Sequence, residues 1–274
     1  MRRIVVHAAV VLVVVAPAAD RAAGADPLVA AHRGGAALWP ENSLLAFRNA
    51  LALGADLIET DVHLSADGQI IVLHDPTLDR TTSGQGAVGR LSGEQIGKVR
   101  LKANDGRLTA EPVPTLAALL DVLAPSGASL LLEIKTDVAR RRYPGIEAKV
   151  LAMVQARGLI TRVRVMAFEP ATIRRVRELE PAIRTVLLIG KGRVDRERTN
   201  LADLARWAKE IGADDVGIDH HALDADLAMA TRAGGLGLAT WTVNEERDLR
   251  RVIGLGVDIV ISDRPDLALR LVGR

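Results

Sequence analysis

Charged side chains stand two residues apart near the ends of two predicted strands. Glu59 and Asp61 form one pair, and Glu133 and Lys135 form the other. Because side chains two apart on a strand point to the same face, each pair directs two charged groups the same way. Three carboxylates brought together would repel one another, and a bound cation removes that cost. Oxygen ligands favour Ca²⁺ or Mg²⁺ over Zn²⁺, so Glu59, Asp61 and Glu133 are candidate ligands of a divalent cation.

Two histidines also stand at the ends of apolar runs. His32 ends the first run and is followed by Arg33, and His74 ends the third. Histidine titrates near neutral pH, so both side chains suit proton transfer to and from phosphodiester oxygens. The planar guanidinium of Arg33 matches a phosphate. The alternatives are a structural role for the histidines and simple salt bridges between the acids and Lys135.

Several further residues are weaker candidates. Trp241 ends a later apolar run, where it suits either contact with an apolar or cationic part of a substrate or packing at the mouth of a barrel. His63, His220 and His221 are interpreted as bystanders. The sequence has no Walker-type or dinucleotide-type phosphate loop, and the absence of Gly-x-Ser-x-Gly disfavours a serine hydrolase.

Short apolar runs alternate with helical stretches along the chain, and this alternation favours an α/β fold with a parallel sheet. The predicted strands cover residues 28–32, 56–60, 70–74, 130–134, 163–167, 184–188, 215–218, 237–241 and 258–261. The predicted helices cover residues 42–53, 115–123, 145–157, 170–180, 200–210, 223–232, 244–253 and 265–272. A closed TIM-type (β/α)₈ barrel fits if residues 61–74 form a hairpin-like excursion at the rim. The carboxyl ends of the strands would then bring the acids and histidines to one rim.

Residues 76–114 differ in character from the rest of the chain. They contain a cluster of threonine, serine and glycine residues as well as Pro112 and Pro114, and they are too long for a plain connection in a compact domain. We interpret them as a small insertion over one end of the barrel. Residues 26–274 are predicted to form a single domain that carries this insertion.

The first 25 residues have the layout of a secretory signal peptide. Arg2 and Arg3 precede an apolar run over residues 4–16, and small residues suited to cleavage follow at 16–18 and 23–25. The alternative is an uncleaved transmembrane anchor, but the run is shorter than the roughly 20 residues that a spanning helix needs. We expect a periplasmic or secreted protein without a stable membrane anchor after cleavage.

Composition narrows the range of partners. Residues 1–25 hold three of the 36 basic and one of the 34 acidic residues, so the remaining chain has equal numbers of both. Neither this charge balance nor the 2% of aromatic residues indicates nucleic-acid binding. The absence of cysteine excludes disulfides, zinc–thiolate sites and thiol catalysis. The oligomeric state stays open.

The order of the motifs resembles that of the glycerophosphodiester phosphodiesterases. The matching segments, which span residues 28–266, are His32-Arg33-Gly34, Pro40-Glu41-Asn42-Ser43, Glu59-Thr60-Asp61-Val62, His74-Asp75-Pro76-Thr77-Leu78-Asp79-Arg80-Thr81-Thr82, Pro114-Thr115-Leu116, Leu132-Glu133-Ile134-Lys135, Trp241-Thr242-Val243-Asn244 and Ser262-Asp263-Arg264-Pro265. The resemblance implies a TIM-type barrel with an insertion after its second histidine motif.

The same resemblance implies roles for individual residues. It makes Glu59, Asp61 and Glu133 the metal ligands and His32 and His74 the catalytic histidines. Arg33 and Lys135 match positions that hold the phosphate.

The implied reaction is hydrolysis of a small glycerophosphodiester to glycerol 3-phosphate and an alcohol. One alternative is a lysophospholipase D-like or sphingomyelinase D-like enzyme that acts on lipids with the same residues. The polar insertion does not provide the exposed apolar lip that acyl chains would need. The other alternative is a non-catalytic phosphate-binding barrel.

Overall fold

The computed structural model describes residues 26–197 and 200–274. Its strands are β1 (Leu28–Ala31), β2 (Leu57–Leu64), β3 (Ile70–Val72), β4 (Arg100–Lys102), β5 (Leu108–Pro112), β6 (Ser129–Ile134), β7 (Val163–Ala167), β8 (Arg184–Ile189), β9 (Asp215–Asp219), β10 (Gly237–Trp241) and β11 (Ile259–Ser262). Parallel pairing runs β1-β2-β6-β7-β8-β9-β10-β11 and returns to β1, which closes the barrel. The predicted TIM-type fold is therefore confirmed.

Helices follow the barrel strands, and their bounds lie within a few residues of the predicted ones. They are α1 (Leu44–Leu53), α2 (Gly93–Gly97), α3 (Leu116–Leu123), α4 (Ile146–Gln155), α5 (Pro170–Leu179), α6 (Lys191–Glu197), α7 (Leu201–Glu210), α8 (Ala225–Ala233), α9 (Glu246–Gly254) and α10 (Pro265–Leu271). Local chemistry sets several starts: the hydroxyl of Ser43 accepts a hydrogen bond from the Ala46 amide, and Pro170 and Pro265 occupy first turns. The short helices α2 and α6 were not predicted from the sequence.

Strand β2 is longer than predicted. It continues to Leu64 and pairs antiparallel with β3, with Val62 opposite Val72. The excursion at the rim is thus a hairpin between β2 and β3, as predicted. The predicted end at residue 60 was wrong because the charged side chains of Glu59 and Asp61 look like a strand boundary, although both are buried inside β2.

Alternation along the strands places the candidate residues one layer above the apolar interior of the barrel. Ala30, Leu57, Leu131 and Ala239 belong to the apolar cluster inside it. Two positions after these residues, in the same order, stand His32, Glu59, Glu133 and Trp241. Because residues two apart share a face, all four point toward the carboxyl-terminal mouth.

Charged side chains line a cavity at the opposite end of the barrel. Arg184 donates to Asp215 with Nη2–Oδ1 of 2.6 Å, and Arg164 Nη1 lies 3.5 Å from Asp215 Oδ2. A side chain on Gly237 would collide with Asp215 Oδ1, so the glycine leaves room for this pair. These residues lie far from the candidate site and contribute to the stability of the barrel.

We expect the substitution Asp215→Asn to lower the free energy of unfolding by about 2–4 kcal/mol, because it leaves two half-buried guanidinium groups without their shared carboxylate. Urea denaturation followed by circular dichroism measures this loss. The matched control is Asp105→Asn, whose exposed carboxylate pairs only locally with Arg107. Equal stability of the two variants would contradict the proposed role of this ion-pair cluster.

Within residues 76–114 the chain builds a small unit of its own. Strands β4 and β5 pair antiparallel, α2 begins with a capping box at Ser92, and an apolar cluster joins the segment to β3. That cluster contains Ile71, Leu73, Leu78, Val88, Ile96, Leu101 and Val113. The segment is therefore packed on the rim through buried apolar side chains.

The signal peptide predicted over residues 1–25 lies outside the described residues. Among the residues that are described, no helix combines the length and apolarity needed to cross a membrane.

Candidate active site

A cavity of about 170 Å³ opens at the carboxyl-terminal mouth of the barrel. Its lining combines a charged side with an apolar side. The charged side consists of His32, Arg33, Glu59, His74, Glu133 and Lys135, and the other side of Met166, Phe168, Leu188, Trp241, Thr242 and Ile261. The structure thus brings together nearly all of the residues that the sequence singled out.

The three predicted carboxylate ligands meet beside this cavity. Asp61 and Glu133 are register partners on β2 and β6, and Glu59 lies one layer below Asp61 on the same strand. All three residues are buried, and one oxygen of each lies within 4.8 Å of the others. This spacing is compatible with a single cation in contact with all three.

Hydrogen bonds hold two of these carboxylates in place. Asp61 Oδ2 accepts from Asn42 Nδ2 at 2.9 Å, and Asn42 Oδ1 accepts from Thr60 at 2.8 Å. Glu59 Oε2 accepts from the backbone amide of Arg33 at 2.7 Å. The loop after β1 therefore orients acids that belong to β2.

Two cationic side chains approach the acids. Lys135 Nζ lies 2.9 Å from Glu133 Oε1 and 3.3 Å from Asp61 Oδ1, so part of the salt-bridge alternative is present. Arg33 Nε lies 3.6 Å from Asp61 Oδ2. Arg33 has φ 50° and ψ 30°, a left-handed conformation that is unfavourable for a residue with a side chain. The hydrogen bond from its backbone amide to Glu59 helps to hold that conformation.

The pKa values of the three acids are consistent with an additional positive charge bound between them. Burial, followed by repulsion from Asp61, raises the pKa of Glu59 to about 8, and burial raises the pKa of Glu133. Burial would also raise the pKa of Asp61, but Lys135 and the neighbouring histidines and Arg33 hold it below its usual range. Among the described residues, no group donates a hydrogen bond to the buried Asp61 Oδ1, whose ionic neighbour Lys135 Nζ lies 3.3 Å away. A divalent cation would bind Asp61 Oδ1 and allow all three acids to ionise.

A carboxylate fixes the ring of His32. Nδ1 lies 2.6 Å from Asp263 Oδ1, and the other oxygen of Asp263 accepts from Asn244 at 2.7 Å. Nε2 lies 3.9 Å from Glu59 Oε2. Burial would lower the pKa of His32, but Glu59 and Asp263 outweigh it and raise the pKa.

His74 is held in the same manner. Its Nδ1 lies 2.7 Å from Asp75 Oδ1, which leaves Nε2 for contact with another group. Its backbone carbonyl lies 3.0 Å from His63 Nε2, and His63 Nδ1 lies 3.0 Å from the hydroxyl of Tyr143. His63, interpreted from sequence as a bystander, therefore supports the backbone of a candidate residue.

Replacing His63 with phenylalanine should lower stability at pH 7 and weaken the acid sensitivity of the fold. The buried Tyr143 hydroxyl and His74 carbonyl lose a partner, which costs about 1–3 kcal/mol. Burial lowers the pKa of His63 to about 4, below its unfolded value of 6.5. Its neutral form is therefore favoured in the folded state, and this contribution to stability is complete above pH 6.5 and falls toward pH 4.

Urea titrations of wild type and His63→Phe at pH 7 and pH 5 test this expectation. The stability difference between the two proteins should shrink at pH 5. His221→Phe is the control, because that ring is largely exposed. If the stability difference between wild type and His63→Phe is larger at pH 5 than at pH 7, the expected pH dependence is wrong.

Trp241 packs at the mouth of the barrel, as one of the two sequence-based interpretations expects, and its contact with a substrate stays a prediction. Its Nε1 donates to the Gly217 carbonyl at 3.0 Å, and the ring packs edge-on against Phe168 with centroids 5.5 Å apart. Both rings also line the cavity. His220 and His221 are absent from that lining: their rings contact each other, and His221 Nδ1 lies 3.0 Å from Asp219.

The supporting residues were missed by sequence reasoning. Asp75, Asp263 and Asn244 each lie next to or inside the quoted motifs, but no role was assigned to them. Phe168 was missed altogether. A weak signal existed, since a strand-end histidine with a proton-transfer role needs a partner for its second ring nitrogen.

Comparison with known proteins decides the family. The model of the glycerophosphoryl diester phosphodiesterase family matches residues 32–267. A glycerophosphodiester phosphodiesterase of Caldanaerobacter subterraneus subsp. tengcongensis is 32% identical over 246 residues, which cover 89% of this chain and 97% of that protein. The chain belongs to the glycerophosphoryl diester phosphodiesterase family. The prediction of a phosphodiesterase that acts on glycerophosphodiesters is thereby confirmed.

Solved structures of similar fold agree with this assignment. A glycerophosphodiester phosphodiesterase from Agrobacterium tumefaciens has a TM-score of 0.73 and 27% identity, covering 89% of this chain and 99% of that one. An Oleispira antarctica phosphodiesterase in complex with the product sn-glycerol-3-phosphate has a TM-score of 0.76 and 22% identity, covering 91% and 98%. The second likeness concerns the fold alone.

Proposed function

We propose that the protein hydrolyses glycerophosphodiesters to glycerol 3-phosphate and an alcohol with the help of one divalent cation, Ca²⁺ or Mg²⁺. The observation that supports this most directly is the buried group of Glu59, Asp61 and Glu133 at a cavity that is also lined by two histidines whose Nδ1 atoms contact carboxylates. Asp61 Oδ1, which has an ionic neighbour in Lys135 but accepts no hydrogen bond from the described residues, supports the same cation site. When bound, the cation supplies Lewis-acid polarisation of a phosphate oxygen.

Arg33 and Lys135 are proposed to bind the phosphate. Both side chains line the cavity, and both lie beside the acids on its charged side. Burial would lower the pKa of Lys135, but Asp61 and Glu133 outweigh it and raise the pKa, so the ammonium group stays charged. Two fixed positive groups stabilise the negative charge that develops on the phosphate oxygens in the transition state.

His32 and His74 are proposed to move the protons. One imidazole accepts a proton from the attacking hydroxyl, which belongs either to water or to the neighbouring glycerol hydroxyl of the substrate. In the second case the departure of the alcohol leaves a cyclic phosphate, and a water molecule then opens the ring to give glycerol 3-phosphate. The other imidazole donates a proton to the oxygen of the leaving alcohol. Their carboxylate partners fix the rings so that each Nε2 is available to the substrate. Trp241 is proposed to pack against the substrate on the apolar side of the cavity.

Phosphorus NMR of glycerophosphocholine incubated with the purified protein tests the reaction. We expect the phosphorus signal of glycerol 3-phosphate, with choline as the phosphorus-free product, in the presence of Ca²⁺ or Mg²⁺ and no turnover after chelation. Release of phosphocholine would mean that the other ester bond is cleaved, and turnover that survives chelation would contradict the cation. Preferential turnover of lysophosphatidylcholine would favour the lipid-directed alternative.

We also propose that residues 1–25 are a cleaved signal peptide and that the remaining chain acts in the periplasm or outside the cell. The support is the basic start and the short apolar run. Sequencing the amino terminus of protein recovered from the extracytoplasmic fraction tests this. An uncleaved protein in the cytoplasmic fraction would contradict it.

A further inference from the structure

Arg80 lies between two carboxylates at the edge of the cavity. Its Nε and Nη2 donate to the two oxygens of Asp75 at 2.7 and 2.9 Å. Its Nη1 and Nη2 donate to the two oxygens of Glu41 at 2.8 and 2.9 Å. We call these three residues the Arg80 bridge. Only a planar guanidinium fork can engage both carboxylates in this way.

Each carboxylate of the Arg80 bridge also holds a proposed active-site side chain. Asp75 Oδ1 contacts His74 Nδ1 at 2.7 Å, and Glu41 Oε1 accepts from Arg33 Nη1 at 3.1 Å. The same two oxygens accept from Arg80 Nη2. One guanidinium is therefore linked to the loop after β1 and to the loop after β3.

Charge supports this arrangement. Hydrogen bonds from Arg80 hold the pKa of Asp75 below its usual range. Burial would raise the pKa of Glu41, but hydrogen bonds from Arg80 and the charge of Arg33 outweigh it and lower the pKa. Both acids consequently stay ionised and able to accept from His74 and Arg33.

The insertion fixes the backbone that carries Arg80. Lys102, on β4, donates from Nζ to the carbonyls of Asp79 and Arg80 at 3.1 and 3.3 Å and from its amide to Thr81 at 2.7 Å. Leu78, two residues before Arg80, is buried in the apolar cluster of the insertion. The short sheet of β4 and β5 thus presents Arg80 to the rim of the barrel.

We propose that Arg80 is a positioning residue that aligns the imidazole of His74 and the guanidinium of Arg33 through Asp75 and Glu41, and that holding Arg80 in place is a function of the insertion. The proposal rests on the roles proposed above for His74 and Arg33. Arg80 itself is absent from the cavity lining, so it acts through its two partners.

The first test compares Arg80→Ala with Arg80→Lys. A small misplacement of reacting groups can cost about 10²-fold in rate, so we expect Arg80→Ala to lower kcat/KM about 10- to 100-fold. Arg80→Lys keeps the charge but not the fork and should recover only part of the loss. Arg90→Ala, on an exposed side chain of the same insertion, is the matched control and should keep the wild-type rate.

Thermal unfolding separates positioning from a folding defect. The Arg80 side chain is 48% exposed, and exposed ion pairs add little stability, so the Tm of Arg80→Ala should fall by no more than about 4 °C. A rate loss accompanied by a collapse of Tm would overturn the positioning role, and so would a wild-type rate in Arg80→Ala.

A mutant cycle over Arg80, Asp75 and Glu41 tests whether Arg80 acts through its two partners. Asp75→Asn should mainly lower kcat, Glu41→Gln should mainly raise KM, and Arg80→Ala should change both. The effects of coupled residues are not additive. Adding Arg80→Ala to the Asp75→Asn, Glu41→Gln double variant should therefore lower kcat/KM by less than about a further 3-fold. If the loss of kcat/KM in the combined variant equals the product of the separate losses, the proposal is overturned.

Two parallel variants keep this proposal separate from the reaction mechanism. His74→Ala and Arg33→Ala are measured with the same substrate. If both retain the wild-type rate, the proposed mechanism is wrong and Arg80 has no catalytic group to position. If both lose activity while Arg80→Ala does not, the mechanism stands and only the positioning role is wrong.

Discussion

Replacing either His32 or His74 with alanine is expected to lower kcat for glycerophosphodiester hydrolysis by at least about 10²-fold, the usual size of an acid–base contribution. Each ring has its Nδ1 on a carboxylate and belongs to the lining of the cavity, so each can offer Nε2 to the substrate. Initial rates at saturating glycerophosphocholine measure the effect. KM should change less than kcat, because the losses concern proton transfer.

The control for these variants is His221→Ala, which removes an exposed imidazole at the same end of the barrel. It should retain the wild-type rate. The double variant of His32 and His74 should lose far less than the product of the two single losses, because the residues act in one mechanism. Near-wild-type rates in both single variants would contradict the proposed proton transfers.

Removing the divalent cation is expected to lower turnover by at least about 10²-fold, since metal polarisation supplies several kcal/mol to the transition state. Asp61→Asn should abolish both the activity and most of the cation affinity, because it removes the charge of one of the three candidate carboxylate ligands. Activity should return to the chelated wild type, but not to the variant, when Ca²⁺ or Mg²⁺ is restored. Asp105→Asn is the exposed control.

Cation binding should also release protons at pH 7. In the cation-free protein the pKa of Glu59 is raised to about 8, above its ordinary value of 4.5, so the folded state carries a proton that the cation must displace. For the cation-free protein, the stability contribution of this group is present below pH 4.5 and is lost as pH rises through 8. Calorimetry in two buffers of different ionisation heat measures the release, and apparent affinity should rise between pH 6 and pH 8.

The fold could be predicted because its signals are local and repeated. Apolar runs and helical stretches alternate around the whole barrel, and each run lies close to an observed strand. The exception was β2, where Glu59 and Asp61 were interpreted as an end although the strand continues to Leu64. Burial of charged residues inside a strand has no local signature, since it depends on neighbours that only the closed barrel provides.

The candidate site was only partly accessible from sequence. The strand-end rule and the family resemblance together grouped the acids with His32 and His74, and the structure places all five at one mouth. The partners that orient them were not assigned. Asp263 reaches His32 across 231 residues, and the bridging role of Arg80 depends on how the insertion folds over the rim. Such contacts follow from barrel closure, not from spacing.

A crystal structure of the protein soaked with Mn²⁺ shows whether the proposed cation site exists, because Mn²⁺ prefers the same kind of oxygen ligands as Mg²⁺ and Ca²⁺. Anomalous scattering locates the ion without reference to activity. We expect one strong peak within about 2.0–2.6 Å of an oxygen from each of Glu59, Asp61 and Glu133. If no ion binds there, or if it binds only at another group of acids, these three residues are not the cation ligands.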